Sequence, residues 1–157
     1  MGSRLAPVLF LLGLAACGDP PDHISVRVFP AVLAADADRE EAAGWDSVFF
    51  EGSSRCPAGA YLVAPEPLFT EWNILAFRAA GQPDGRVAVV ARLNEYAARK
   101  MRKFCADSTR LKRPLGVCID GRWADFTPLL GWTGNRITLY GFTREETDRL
   151  QRYLDHK

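Results

Sequence analysis

Apolar and polar side chains alternate from His23 to Val28, with Ile24, Val26 and Val28 on one side and Ser25 and Arg27 on the other. That two-residue period is the mark of a half-buried strand. Ala34 to Gly44 is rich in Ala, Asp and Glu and predicts a helical turn. Trp45 to Glu51, containing Val48-Phe49-Phe50, predicts a second strand, and Gly52 to Gly59 a loop. Tyr61-Leu62-Val63 is a short strand ended by Pro65 and Pro67. Leu75 to Ala79 and Arg86 to Leu93 flank Gly81-Gln82-Pro83-Asp84-Gly85, the pattern of a hairpin. Asn94 can cap a helix through its side-chain oxygen. Leu93, Ala97, Met101 and Phe104 then fall on one helical stripe, which Pro114 bars from continuing. Leu115 to Ile119 and Arg122 to Phe126 flank Asp120-Gly121, a dipeptide suited to the positive φ angles of a tight turn. Arg136 to Tyr140 predicts one more strand. Thr143-Arg144-Glu145-Glu146 fits a capping box that opens a last helix with Leu150 and Leu154 on its apolar face. These elements predict an α+β fold: a mixed, largely antiparallel sheet with two main helices packed on one face.

The first residues follow a different pattern. Arg4 precedes an apolar run from Leu5 to Leu14, and Ala15-Ala16-Cys17 follows. A positive start, a short apolar stretch and small residues at its end describe a secretory signal. The run is shorter than the roughly 20 apolar residues that span a bilayer. Leu14-Ala15-Ala16-Cys17 resembles the lipobox of bacterial lipoproteins. That resemblance implies a cleaved signal over 1–16, a lipid on Cys17 and a membrane anchor. The plainer alternative is an ordinary cleaved signal with an incidental cysteine. Gly18 to Asp22, with two prolines and no apolar side chain, makes 17–22 a short tether, and 23–157 one domain. Five extended residues reach at most about 18 Å, so the domain is expected close to the membrane surface. Gly18 lacks the acidic character that some bacteria use for inner-membrane retention, which leans the expected location toward the outer membrane, facing the periplasm.

Removing residues 1–16 from the 157 leaves 141, one domain's worth. The 20 basic and 19 acidic residues balance once Arg4 is gone, so overall charge favours no nucleic-acid partner. Outside the cytoplasm disulfides are permitted. Cys56, Cys105 and Cys118 allow one bond in three alternative pairings, and spacing does not choose among them. Cys118 in Leu115-Gly116-Val117-Cys118-Ile119 reads as a buried thiol, whereas Cys56 lies on a loop among Ser53, Ser54, Pro57 and Gly59. His23 and His156 stand at opposite ends, without the clustered spacing of a metal site. No cofactor motif is present.

Three sets of residues carry candidate chemistry. Asp120 and Asp125 could pair as acid and base, but Asp120 suits the turn and Asp125 is expected to face solvent; Cys56 is the other candidate reactive group. Arg99, Lys100, Arg102 and Lys103, continued by Arg110, Lys112 and Arg113, form a basic cluster. A solvated helix face is its plain reading, and contact with anionic lipid headgroups the sharper one. Trp123, Phe126 and Trp132 surround the second hairpin. Packing is their commoner fate, while Trp123 and Trp132 are the candidates for gripping a partner, Trp132 foremost because its loop is flanked by glycine.

The order of the C-terminal motifs carries a second resemblance. A helix, then Leu115-Gly116-Val117-Cys118-Ile119-Asp120-Gly121-Arg122, Pro128, Ile137-Thr138 and Gly141-Phe142-Thr143-Arg144-Glu145-Glu146 is similar to the head subdomain of the large periplasmic domain of SecD, a protein-export accessory subunit. Tyr61-Leu62-Val63, Pro65, Leu68, Asn73-Ile74 and Ala76 are compatible with the segment before it. The resemblance implies the head's fold, without the transmembrane helices that power export. Taken with the lipobox resemblance, it implies a lipid-anchored, non-catalytic binding module for exported polypeptide or an envelope partner. The alternatives are an enzyme using Cys56 or Asp120 and Asp125, and a structural subunit of an envelope complex.

Overall fold

A computed structural model describes residues 23–38, 40, 42–107, 113–129, 132 and 134–157. Cys17, the tether, Arg110 and Lys112 lie outside the described residues. The strands are β1 (Val26–Leu33), β2 (Asp46–Phe50), β3 (Gly59–Val63), β4 (Phe69–Thr70), β5 (Ile74–Gly81), β6 (Val87–Leu93), β7 (Pro114–Ile119), β8 (Arg122–Pro128) and β9 (Arg136–Phe142). The helices are α1 (Glu95–Ala106) and α2 (Arg144–Asp155), with short 3₁₀ turns at Ala34–Asp36 and Glu71–Asn73. The α+β fold is as the sequence predicts, with its strands divided between two antiparallel sheets. Among the described residues no helix is long and apolar enough to cross a membrane.

The larger sheet runs β2-β3-β1-β7-β8. β1 is its axis. β7 occupies one edge over Val26 to Pro30, while β3 pairs with Ala31 to Leu33 and β4 with Arg27 and Val28. Ala64 N–H donates to the Pro30 carbonyl at 3.0 Å and Leu68 N–H to the Val28 carbonyl at 2.7 Å. The chain therefore tracks β1 from β3 to β4 and leaves it only around Pro65 and Pro67, where no amide is available to pair. The smaller sheet runs β5-β6-β9.

Each predicted cap forms. The Asn94 side chain accepts from Ala97 N–H at 3.0 Å. Thr143 and Glu146 exchange backbone and side-chain bonds at 2.8 and 3.1 Å. Asp120 and Gly121 both take positive φ, 47° and 83°, as the tight β7–β8 turn requires. β4 and the Glu71–Asn73 turn are additions that periodicity does not signal, because two residues cannot show a period.

Two clusters hold the fold. The main core joins Val26, Val28, Val117 and Ile119 of the larger sheet, Val89, Ala91, Ile137 and Leu139 of the smaller, and Ala97, Met101, Phe104 and Leu150 of the helices. A second cluster packs Phe29, Phe50, Cys56, Tyr61 and Phe126, with Trp123 and Cys118 against them. Phe126 stacks on Tyr61 at 4.1 Å and meets Phe50 at 5.2 Å and Trp123 at 5.3 Å. Trp123 and Phe126 are three apart and would face opposite sides of a regular strand. They share one cluster because β8 bulges: Cys118 faces Trp123 but Val117 faces Asp125.

Candidate binding surface

The smaller sheet has one covered face and one open one. Along β6, Val87, Val89, Ala91 and Leu93 enter the core, while Val90 and Arg92 are exposed. Register extends this across the sheet. Arg92 lies opposite Ala76 of β5 and opposite Arg136 of β9, and Val90 lies opposite Arg78 and Thr138. Arg78, Arg92 and Arg136 thus surround Val90 above a shallow trough of about 490 Å³ lined also by Ala76 and Phe77. None of the three arginines meets a carboxylate among the described residues. Arg92 and Arg136 are directly cross-strand, an arrangement of like charge that weakens a sheet.

A second region collects reactive groups. Asp125 is only 1% exposed, so the solvent-facing position expected from sequence is wrong. Its Oδ1 accepts from Ser53 Oγ at 2.8 Å and from Cys56 Sγ at 3.4 Å, and its Oδ2 accepts from Thr127 Oγ1. Arg55 Nε lies 3.8 Å from Oδ2, and the guanidinium sits 4.1 Å above the Tyr140 ring. The bulge and the 52–58 loop together account for the burial: three hydroxyl or thiol donors replace water around the carboxylate. Beside this cluster lies a cleft of about 560 Å³ lined by Phe49, Arg86, Arg122 and Trp123, among others. Arg122 is already held by Glu146 at 2.8 Å and by the Gly141 carbonyl at 3.1 Å. Burial pushes the Cys56 thiol up, and the nearby carboxylate adds to this, against the Ser53 hydrogen bond. A protonated thiol that donates to a carboxylate is a clamp; nucleophilic cysteine chemistry needs a thiolate. Cys56 is moreover buried, not the accessible loop thiol expected. Cys56, Cys105 and Cys118 are all free.

The other sequence candidates are scattered. Asp120 accepts from Ser25 N–H at 2.9 Å and from Arg149 at 2.7 Å, tying the turn to α2 and to the residue just before β1, and shares no partner with Asp125 among the described residues. Trp123 packs on Phe29 and Phe126, and Trp132 packs against the main core with its indole N–H buried and unpaired. Neither stands out as an exposed anchor. Arg99 and Lys103 are exposed on α1, Arg102 pairs with Glu95, and Lys100 donates to the Pro67 carbonyl at 2.9 Å. The basic helix is therefore partly spent on the fold. Among the described residues the large exposed apolar side chains are Phe49 at 72%, Trp72, Tyr96, Leu75 and Val90. Sequence reasoning passed over them and over the three arginines. Arg78, Arg92 and Arg136 are far apart in the chain, and only the outward parity of Arg92 within β6 hints at their face.

No protein-family model matches the chain, and no curated protein matches it. Solved structures do. One, described as "Structure and function of a membrane component SecDF that enhances protein export", is 19% identical with a TM-score of 0.50. It aligns over 83% of this chain and 61% of its own length. A second, SecDF in a super-membrane-facing form, is 18% identical with a TM-score of 0.48, over 83% of this chain and 18% of that one. The chain thus spans about three-fifths of the first of these proteins. Identity this low speaks for architecture alone: the domain has a fold similar to part of the membrane component SecDF.

Proposed function

We propose that this chain is a non-catalytic polypeptide-binding module of the bacterial envelope, anchored by a lipid on Cys17. The observation that carries the reading is the open, arginine-bearing face of the smaller sheet. Its core-facing side packs into the main core. The 52–58 loop lies over Tyr140 and the β5–β6 turn at one end of the outer side, while the end around exposed Val90 carries three arginines with no carboxylate partner among the described residues. A permanent structural subunit would present a broad apolar face instead. Catalysis would need a cleft with converging, activated groups, and the Cys56 thiol beside the cleft is bonded to the Asp125 carboxylate that lines it. The fold likeness to a protein that enhances export supports an exported or envelope polypeptide as partner, by analogy.

The reading is tested in bacterial cells that process lipoproteins, with a photo-crosslinking side chain at Val90 of the full chain. Adducts with one or more polypeptides are expected at Val90 and none at exposed Glu145 on α2. Equal labelling at both positions would sink the binding-face reading. For the anchor, Cys17→Ser is expected to abolish palmitate incorporation and to move the protein from the membrane to the soluble fraction.

A further inference from the structure

Strand β5 is an eight-residue edge whose only strand partner among the described residues is β6. In an antiparallel pair, alternate residues turn their N–H and C=O toward opposite edges. About half of the β5 backbone groups therefore look away from β6. The two ends are dressed. At the start, Lys157 Nζ donates to the Trp72 carbonyl and, at 3.5 Å, to that of Ile74. At the finish, the Gln82 amide reaches the Ala80 and Gly81 carbonyls at 3.5 and 3.4 Å. Between them, Leu75 to Ala79 bond only to β6 among the described residues. Leu75, Ala76, Arg78 and Ala79 are exposed. Proline, lysine and inward charge, the usual means of protecting an edge, are absent from Ile74-Leu75-Ala76-Phe77-Arg78-Ala79-Ala80-Gly81; one bulge near Leu75 is the only irregularity.

We infer that β5 is a docking edge at which a partner polypeptide adds as an extended strand carrying acidic side chains at alternate positions. The inference rests on the polypeptide-binding reading above and specifies its mode. An added strand would extend the sheet through main-chain hydrogen bonds, with side chains alternating between the two faces. Those on the outer face would lie beside Ala76 and Arg78, with Arg92 one strand further in. This face holds three guanidiniums and no carboxylate, so acidic side chains there are complementary. Those on the inner face would lie beside Phe77, which packs against the core, so apolar side chains suit them. A second copy is the poorer occupant. Two β5 strands joined by a two-fold axis would merge their outer faces. Both sets of arginines would then lie on one continuous surface, with Arg78 near its own counterpart.

Fluorescence anisotropy with the full chain and a dye-labelled octapeptide alternating glutamate and valine tests the mode. Saturable binding is expected. Replacing the glutamates by lysine should abolish it. N-methylation of alternate amides, which blocks strand pairing and leaves the charges, should abolish it too. Arg78→Glu, an exposed position outside the core, should weaken binding about tenfold, with circular dichroism unchanged. Equal binding of methylated and unmethylated peptides would overturn strand addition. So would peptide binding indifferent to Arg78→Glu, or a concentration-dependent dimer in sedimentation that blocks the peptide. If the peptide fails while crosslinks at Val90 persist in cells, the docking mode is wrong and the polypeptide-binding reading stands. If both fail, the reading itself is lost.

Discussion

The two sheets of this domain are covered differently. The larger sheet lies between the main core and an aromatic cluster sealed by the 52–58 loop, and its central strand is paired along both edges. The smaller sheet is covered on one face, with β5 free on one side. Burial on both faces gives rigidity and leaves no surface to offer. Burial on one face leaves a preformed platform whose arginines have no carboxylate partner, and whose β5 edge has no strand partner beyond β6, among the described residues. Stability is therefore expected to concentrate in the first region and recognition in the second.

The sharpest way to break that contrast is Phe126→Ala. Phe126 is fully buried and touches three aromatic rings, so truncation should cost about 3–5 kcal/mol in urea unfolding. A loss under 1 kcal/mol would mean that the aromatic cluster does not hold the larger sheet. Gly141→Ala comes next. Gly141 has φ 85°, and a Cβ there would stand 2.3 Å from the Ala124 carbonyl oxygen, so a loss of about 2–3 kcal/mol is expected. This contact joins β8 to β9, and a neutral result would uncouple the sheets.

A smaller effect depends on pH. Burial pushes the Cys56, Cys105 and Cys118 thiols above their ordinary 9.0 and the Tyr61 and Tyr153 phenols above 10.0. The folded state thus favours the neutral forms. Their contribution is whole below the unfolded values and lost as pH rises through the raised folded ones. The urea midpoint should fall above about pH 9, and less so in Cys56→Ala. The smallest expected change has the opposite sign. Arg92→Glu turns a like-charge cross-strand pair with Arg136 into an attractive one, so it should stabilise by about 0.2–1 kcal/mol. It should also weaken the acidic peptide. A destabilised variant would show that the arginines serve the fold and not a partner.

Most elements were legible because their signals are local. The Asn94 cap, the Thr143 capping box, the Asp120-Gly121 turn and the Ala97–Met101–Phe104 stripe depend on residues whose successive members lie within four positions, and all formed. What was misread depends on distant chain. Asp125 was expected to face solvent, while the Ser53 and Cys56 donors that bury it come from 72 and 69 residues away. Trp123 stood as a candidate for gripping a partner, and the β8 bulge instead turns it into the same cluster as Phe126. The candidate site was hardly legible at all: Arg78, Arg92 and Arg136 sit on three strands that sequence treats as separate.

By itself, the sequence determined the α+β class and, apart from β4 and the Glu71–Asn73 turn, the order of strands and helices with their caps and turns, since each follows from steric and hydrogen-bonding preferences of neighbouring residues. The tertiary structure alone decided that the strands divide into two sheets, that Asp125 is buried, and that one sheet keeps an open arginine face and an unpaired edge. Those outcomes rest on register and on which faces meet, and contacts between residues far apart in the chain leave no periodic trace along it.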